Sequence, residues 1–346
     1  MLLKGLVDSP PDQSETLRHL EAIERRLHVC RDGSDWEVAL SADHDQILRD
    51  LWELLLDVVC SPLWLRIRAA ELLNVCFTLR QDYLRVDAPN AHWIRSIVSS
   101  TCQILDELDP RHKDDSTNLF HWLAFLDHLL SATADSRVFA RAFRHSTYAS
   151  MLSKMVRLLG LCSTRVFAAT TVCLAAFHDH ERRLARETAN ASASVLLDTV
   201  LSETTREGNQ HVGGALLHVI NSCGCPCPES RLAQLHKVLQ LLLDILRHPQ
   251  VFRVVFVNDF KVLVDIVLRE CTDLPLDDAL RLEYLRLLDV VIASPLYLDA
   301  HFYRKAELLK LLEDLLAAGT IEDVGVPMEV TQCAKDILLE RIDRLD

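Results

Sequence analysis

Apolar residues recur along this chain at helical rather than strand spacing. From Asp43, "DHDQILRDLWELLLDVVCSPLWLRIRAAELLNVCFTL" sets Ile47, Leu51, Leu54, Leu55 and Val58 on one stripe, breaks at Ser61-Pro62, and resumes in a segment that is apolar nearly all round. Serine accepts a backbone N–H at a helix start, and proline, with no N–H and a fixed φ, suits a first turn, so the break predicts a junction between two helices. The same grammar returns in "YASMLSKMVRLLGLCSTRVFAATTVCLAAF", with Met151, Met155, Leu158 and Leu159 on the first stripe and residues 166–177 in the second helix. A third instance opens with "NDFKVLVDIVLREC" at 258–271 and continues through "DLPLDDALRLEYLRLLDVVIASPLYL" to "FYRKAELLKLLEDLL". "SPLWL" at Ser61 and "SPLYL" at Ser294 echo one another, and "AELL" follows each, at Ala70 and Ala306.

Amphipathic helices paired with nearly all-apolar ones cannot bury their faces alone, and units of roughly 40 residues built this way are the armadillo/HEAT pattern. The expected fold is therefore an all-α, armadillo/HEAT-like helical solenoid. Exposed loops are expected at "RDGSD" (31), "DPRHKDDST" (109), "TTREGNQHVGG" (204), "NSCGCPCPES" (221) and "GTIEDVGVP" (319). None is long enough to link domains, so residues 1–346 read as one solenoid, with cap helices over 1–42, stacked repeats over 43–318 and a cap helix over 319–346.

Composition narrows the function. At 346 residues and 49% hydrophobic the chain can bury a large core, and only 9 Gly and 11 Pro are far too few for the tight turns of a sheet-rich protein. A formal net charge of -13 with no basic block disfavours nucleic acid and makes another protein the default partner. The 11 cysteines are scattered from Cys30 to Cys333, mostly in apolar helical windows, where a free thiol behaves as a small buried hydrophobe. The N-terminus lacks an apolar signal-peptide core and no stretch approaches a bilayer span, so the expectation is a cytosolic chain without membrane insertion. The sequon at Asn190 then has no glycosylation machinery to meet.

Candidate chemistry is sparse. "CGCPCP" gathers Cys223, Cys225 and Cys227 near His211, His218 and His236, the thiolate and imidazole donors zinc prefers. Its C-x-C-x-C spacing, with proline between two of the cysteines, departs from the usual C-x2-C, and an ordinary interhelical loop is the stronger reading. "FHWLAFLDHLL" and "FHDHERR" set histidines beside aspartates, and His121 and His128 share a helix face; satisfied or half-exposed helix histidines explain them better than acid–base catalysis. No nucleophile elbow, phosphate-binding glycine loop or H-E-x-x-H accompanies them, so neither a catalytic role nor a cofactor is expected.

In 258–271, Asn258 or Asp259 is placed to cap the helix, Phe260, Leu263, Val264 and Val267 form the stripe to be buried, and Lys261, Asp265 and Arg269 form a polar line of alternating sign at four-residue spacing. That line reads either as a solvated face laced with weak ion pairs or, in an armadillo-like unit, as part of the concave wall along which partner segments lie.

From Asn258 onward the sequence resembles the leucine-rich domain of the WISH/DIP/SPIN group, comprising the NCK-interacting protein with SH3 domain and its smaller fungal relatives. The resemblance is carried over about 60 residues by Asn258-Asp259, the Leu263 to Arg269 core, Leu274-Pro275, Arg281, Tyr284-Leu285 and Tyr303-Arg304-Lys305. No SH3 domain or proline-rich tail accompanies it, which likens the chain to the compact fungal members or to a solenoid fragment of a larger protein. The resemblance implies an armadillo-like solenoid that binds the actin-related protein 2/3 complex and activates it without a pre-existing filament, seeding linear actin. The residues expected at that interface are Lys261, Asp265 and Arg269, with Tyr303, Arg304 and Lys305 at the start of the next helix. The competing expectation is a generic armadillo/HEAT adaptor for another partner.

Overall fold

In a computed structural model the protein is described at residues 18, 20–25, 44–56, 61–79, 91–188, 194–207, 211–319 and 327–345. The loop expected at 31, the sequon, Val58 and the side chain of Ile47 lie outside these residues. Among the described residues every regular element is helical: α1 (His44–Leu56), α2 (Leu63–Leu79), α3 (Ala91–Glu107), α4 (Lys113–Ala132), α5 (Ala140–Phe143), α6 (Ser146–Leu158), α7 (Thr164–Thr188), α8 (Val195–Glu207), α9 (His211–Ser222), α10 (Glu229–Arg247), α11 (Val257–Asp273), α12 (Ala279–Ala293), α13 (Pro295–Asp299), α14 (Lys305–Gly319) and α15 (Met328–Leu345). The chain forms two compact units, residues 1–173 with 180–192, and residues 174–179 with 193–346.

In the first unit, α1 pairs with α2, and the pairs stack so that α2 lies on α4 while α1 and α6 both lie on α3. Most of the expected stripe positions are buried: Leu51 and Leu55 on α1, with Leu54 only half-buried, and Met151, Met155, Leu158 and Leu159 around α6. Aromatic rings fill the space between layers. Trp122 is buried with its Nε1 donating to Thr101 Oγ1 at 3.0 Å, and Phe125 packs on Trp122, Phe77 and Trp52. The buried Arg66 has polar partners there. Arg66 Nη1 donates to Ser100 Oγ at 2.9 Å and Nη2 to Gln103 Oε1 at 2.7 Å, as a buried charge requires.

The second unit repeats the device three times. Helix pairs α9/α10, α11/α12 and α14/α15 stack in two layers, α9–α11–α14 and α10–α12–α15. This is the helical-repeat architecture expected from the sequence, with each pair covering the apolar face of the one before it.

Three local expectations give way. Residues 113–117, placed in the loop at 109 by sequence, open α4. Gly213 and Gly214, placed in a loop by sequence, lie within α9. Gly213 serves close packing there: a Cβ would sit 2.6 Å from Val254 O, whereas at Gly214 it would meet nothing within 4 Å. The two "SPL" echoes also diverge. The first precedes the 17-residue α2, but the second forms the five-residue α13 and then a tight turn. Ser294 caps α13, accepting from the Leu296 N–H at 3.3 Å with Pro295 in the first turn, as the grammar predicted.

Candidate functional site

The helix carrying the polar line begins earlier than its sequence suggests. Phe256 is the residue before the first turn of α11 and provides no side-chain cap; Phe260 N–H already bonds to Phe256 O at 2.7 Å. Asn258 and Asp259 therefore sit inside the first turn rather than at the cap. Asp259 retains the acidic placement that suits the positive helix end. Partial burial raises its pKa. Behind them Phe260, Leu263, Val264 and Val267 are fully buried, as their spacing required.

Lys261, Asp265 and Arg269 do not form an ion-pair ladder along α11. Asp265 turns to the next repeat, where Oδ2 accepts from Tyr303 OH at 3.2 Å and Oδ1 from Arg304 Nε at 3.1 Å. Arg304 also reaches Glu307 Oε1 at 2.9 Å. The bonds to Glu307, Tyr303 and Asp265 raise the Arg304 pKa, and the same contact holds Glu307 below its ordinary value. The Lys261 ammonium lies 5.6 Å from the Tyr303 ring centre and the Arg304 guanidinium 5.5 Å from it, so two cations flank one aromatic ring. Lys305 stands 5.8 Å from the Phe302 ring. Four of the six expected residues, Lys261, Asp265, Tyr303 and Arg304, therefore share one surface cluster, with Lys305 beside it on Phe302.

Arg269 belongs elsewhere. Its Nη2 donates to the buried Glu270 at 2.6 Å and its Nη1 to Asn221 Oδ1 on α9 at 3.0 Å, tying α11 to the preceding repeat. Glu270 raises the Arg269 pKa.

The turn feeding α14 holds the cluster in an unusual backbone. His301, Phe302 and Arg304 have φ of 56°, 53° and 59°, the left-handed region that costs an L-residue roughly 1–2 kcal/mol each. Compensating bonds surround them: His301 N–H to Leu298 O at 2.9 Å, Phe302 N–H to Tyr297 O at 3.0 Å, and the Phe302 ring edge-on to buried Tyr297 at 5.6 Å. Sequence reasoning missed Phe302, Glu307 and this turn. The Arg304-x-x-Glu307 spacing on a helix start was a readable signal for one of them.

The cysteine-rich segment is the connection between α9 and α10. Burial pushes the Cys223 and Cys225 thiols up to about 11, and a hydrogen bond to Glu270 also raises Cys225. His236 is engaged by Glu283 Oε2 at 2.8 Å, and among the described residues no group of three such side chains is arranged to hold a metal. His180, His128 and His178 are tied into the helix packing. His180 Nε2 donates to Leu130 O at 2.8 Å, which leaves Nδ1 to accept from Ser136 Oγ at 3.1 Å. His128 Nδ1 meets Asn74 Oδ1 at 3.0 Å, and burial lowers its pKa; His178 lies 3.2 Å from Asp244.

Stacked helix pairs, with a preorganised cluster of charged and aromatic groups where one repeat meets the next, define an all-α helical-repeat protein of the armadillo/HEAT kind. Residues 170–308 match the family model of the SPIN90/Ldb17 leucine-rich domain. The family resemblance read from residues 258–305 is thus shown, and over a longer stretch. The match runs from within α7 to Leu308 in α14 and includes the whole cluster. Among the described residues no helix is long and apolar enough to cross a membrane.

Proposed function

We propose that this protein is a non-catalytic activator that binds the actin-related protein 2/3 complex, stabilises its active arrangement without a pre-existing filament and seeds linear actin filaments at the cytoplasmic actin cytoskeleton. The observation that carries the reading is the SPIN90/Ldb17 match over 170–308, together with the cluster that falls inside it. A binding partner activates only through higher affinity for the active arrangement than for the inactive one. Moving such an equilibrium from 1:99 to 99:1 takes about 5.5 kcal/mol of difference.

Two or three contacts of hot-spot quality supply that much, and Arg and Tyr are the residue types that most often do. In our reading Lys261, Asp265, Tyr303, Arg304 and Lys305 form the contact surface, with Arg269 bracing α11 behind it. Asp265 holds Tyr303 and Arg304 in place before the partner arrives, so less side-chain entropy is lost on binding.

Polymerisation of fluorescent actin with the purified complex tests this. The protein is expected to shorten the lag and to give unbranched filaments by imaging. The double charge reversal K261E/R304E, at positions outside the core, is expected to reduce the seeding rate by roughly tenfold, as loss of hot-spot contacts does. An unchanged lag with the wild-type protein, with or without a nucleation-promoting peptide, refutes the reading.

A further inference from the structure

A trough of about 670 Å³ runs between the second half of α11, the 274–276 connection and α14. Leu268, Leu276, Leu311 and Leu315 line it with apolar surface. One wall residue does not fit that surface. Arg281, on α12, is only 3% exposed and lines the trough, yet no carboxylate lies within ion-pairing distance of it among the described residues. Its Nε donates to Pro275 O at 3.2 Å in that connection and its Nη1 to Cys271 O in the last turn of α11, both backbone carbonyls. Nη2 has no acceptor among the described residues. Asp278, a carboxylate whose charge reaches it, is occupied in capping α12, accepting from the Leu280 N–H at 2.8 Å.

A guanidinium this deeply buried, with its nearest carboxylate Asp278 beyond ion-pairing distance, is unfavourably placed, and burial lowers its pKa accordingly. An arriving carboxylate relieves that cost and gains a charge-assisted bond, so the site discriminates in favour of anions. On the α14 rim, Glu307 is already paired with Arg304, and Lys310 adds a second cation, against the single charge of Asp314.

We propose that this trough binds a peptide segment of a partner protein in which an Asp or Glu is flanked by leucine-like residues. The carboxylate accepts from Arg281 Nη2, and its apolar neighbours pack on Leu268, Leu276, Leu311 and Leu315. A peptide suits the site better than a fatty acid, because the trough is open along its length and its rim carries alternating charges that a hydrocarbon tail cannot use. The inference stands apart from the activator role and rests on different side chains.

Panning a random linear peptide library on the full chain tests it, followed by anisotropy measurements on the selected peptides. Thr272 is exposed on the trough wall, so T272W fills the space without touching the core. The expected result is a consensus with one acidic residue among Leu, Ile or Phe. Binding is expected to weaken by about tenfold or more in T272W at unchanged thermal midpoint, and by a similar factor when the peptide's Glu is replaced by Gln. The absence of an acidic–apolar consensus, equal binding by T272W, or equal binding of the Gln peptide overturns the proposal. So does saturable binding of oleate with no peptide enrichment, which would make the trough a lipid site.

Discussion

Replacing Gly213 and Gly214 of α9 by alanine, one at a time, is expected to give effects of opposite sign. The two substitutions share a helix, a sequence environment and nearly the same unfolded chain, so the entropy that alanine removes from the unfolded state cancels between them. Alanine also gains about 1 kcal/mol over glycine inside a helix. At Gly214 nothing opposes that gain, because the new Cβ meets no atom within 4 Å.

At Gly213 the Cβ lands 2.6 Å from Val254 O and 3.3 Å from Val255 Cα. Both obstacles are backbone and cannot rotate aside, so the segment leading into α11 must shift. Overpacking of this kind costs about 1–3 kcal/mol. The expected outcome is G214A more stable than wild type by about 1 kcal/mol and G213A less stable by a similar amount, a gap of about 2 kcal/mol. Urea unfolding followed by far-UV circular dichroism reads this as midpoints on either side of the wild-type value with a common slope. If the G213A midpoint rises together with that of G214A, the close approach of α9 to residues 254–255 is wrong, and with it the support for α11.

A second prediction concerns pH. The bond from His236 to Glu283 raises the histidine's pKa above its ordinary value of about 6.5, so its contribution to stability is fully present below pH 6.5 and fades as pH rises through the folded-state pKa. Titration by NMR of labelled histidine is expected to show His236 above about 6.5 and to bring it back down in E283Q; a wild-type value at or below 6.5 refutes the pairing. A third concerns the first unit's core. Thr101→Val keeps the shape of the side chain but removes the acceptor for Trp122 Nε1, leaving a buried N–H unpaired. The expected cost is about 1–3 kcal/mol by chemical unfolding, and a neutral result would mean the indole finds another acceptor.

Helical class, paired helices, and the buried stripes of Met151/Met155 and of Phe260, Leu263, Val264 and Val267 were legible in the sequence, because a 3.6-residue period is a local property that burial merely reads out. Candidate residues at 261, 265 and 303–305 were legible too, through their charge and their family resemblance. What each of them touches was not. Spacing alone suggested Lys261, Asp265 and Arg269 pairing along one helix, but Asp265 bonds forward to Tyr303 and Arg304 while Arg269 bonds to Glu270 and back to α9.

A half-buried charge gains more from a fixed partner on a neighbouring element than from a mobile one on its own solvated face, and which neighbour stands there depends on how the repeats stack. The same reason separates Gly213 from Gly214. Both suggest a loop when read as sequence, and only the approach of Val254 decides that one of them must be glycine. The left-handed turn at 301–304 and the lone guanidinium of Arg281 belong to this second class as well. Both are locally unfavourable: the turn is held by short-range backbone bonds and by the distant Asp265 through Tyr303 and Arg304, while Arg281 is held by the carbonyls of Cys271 and Pro275.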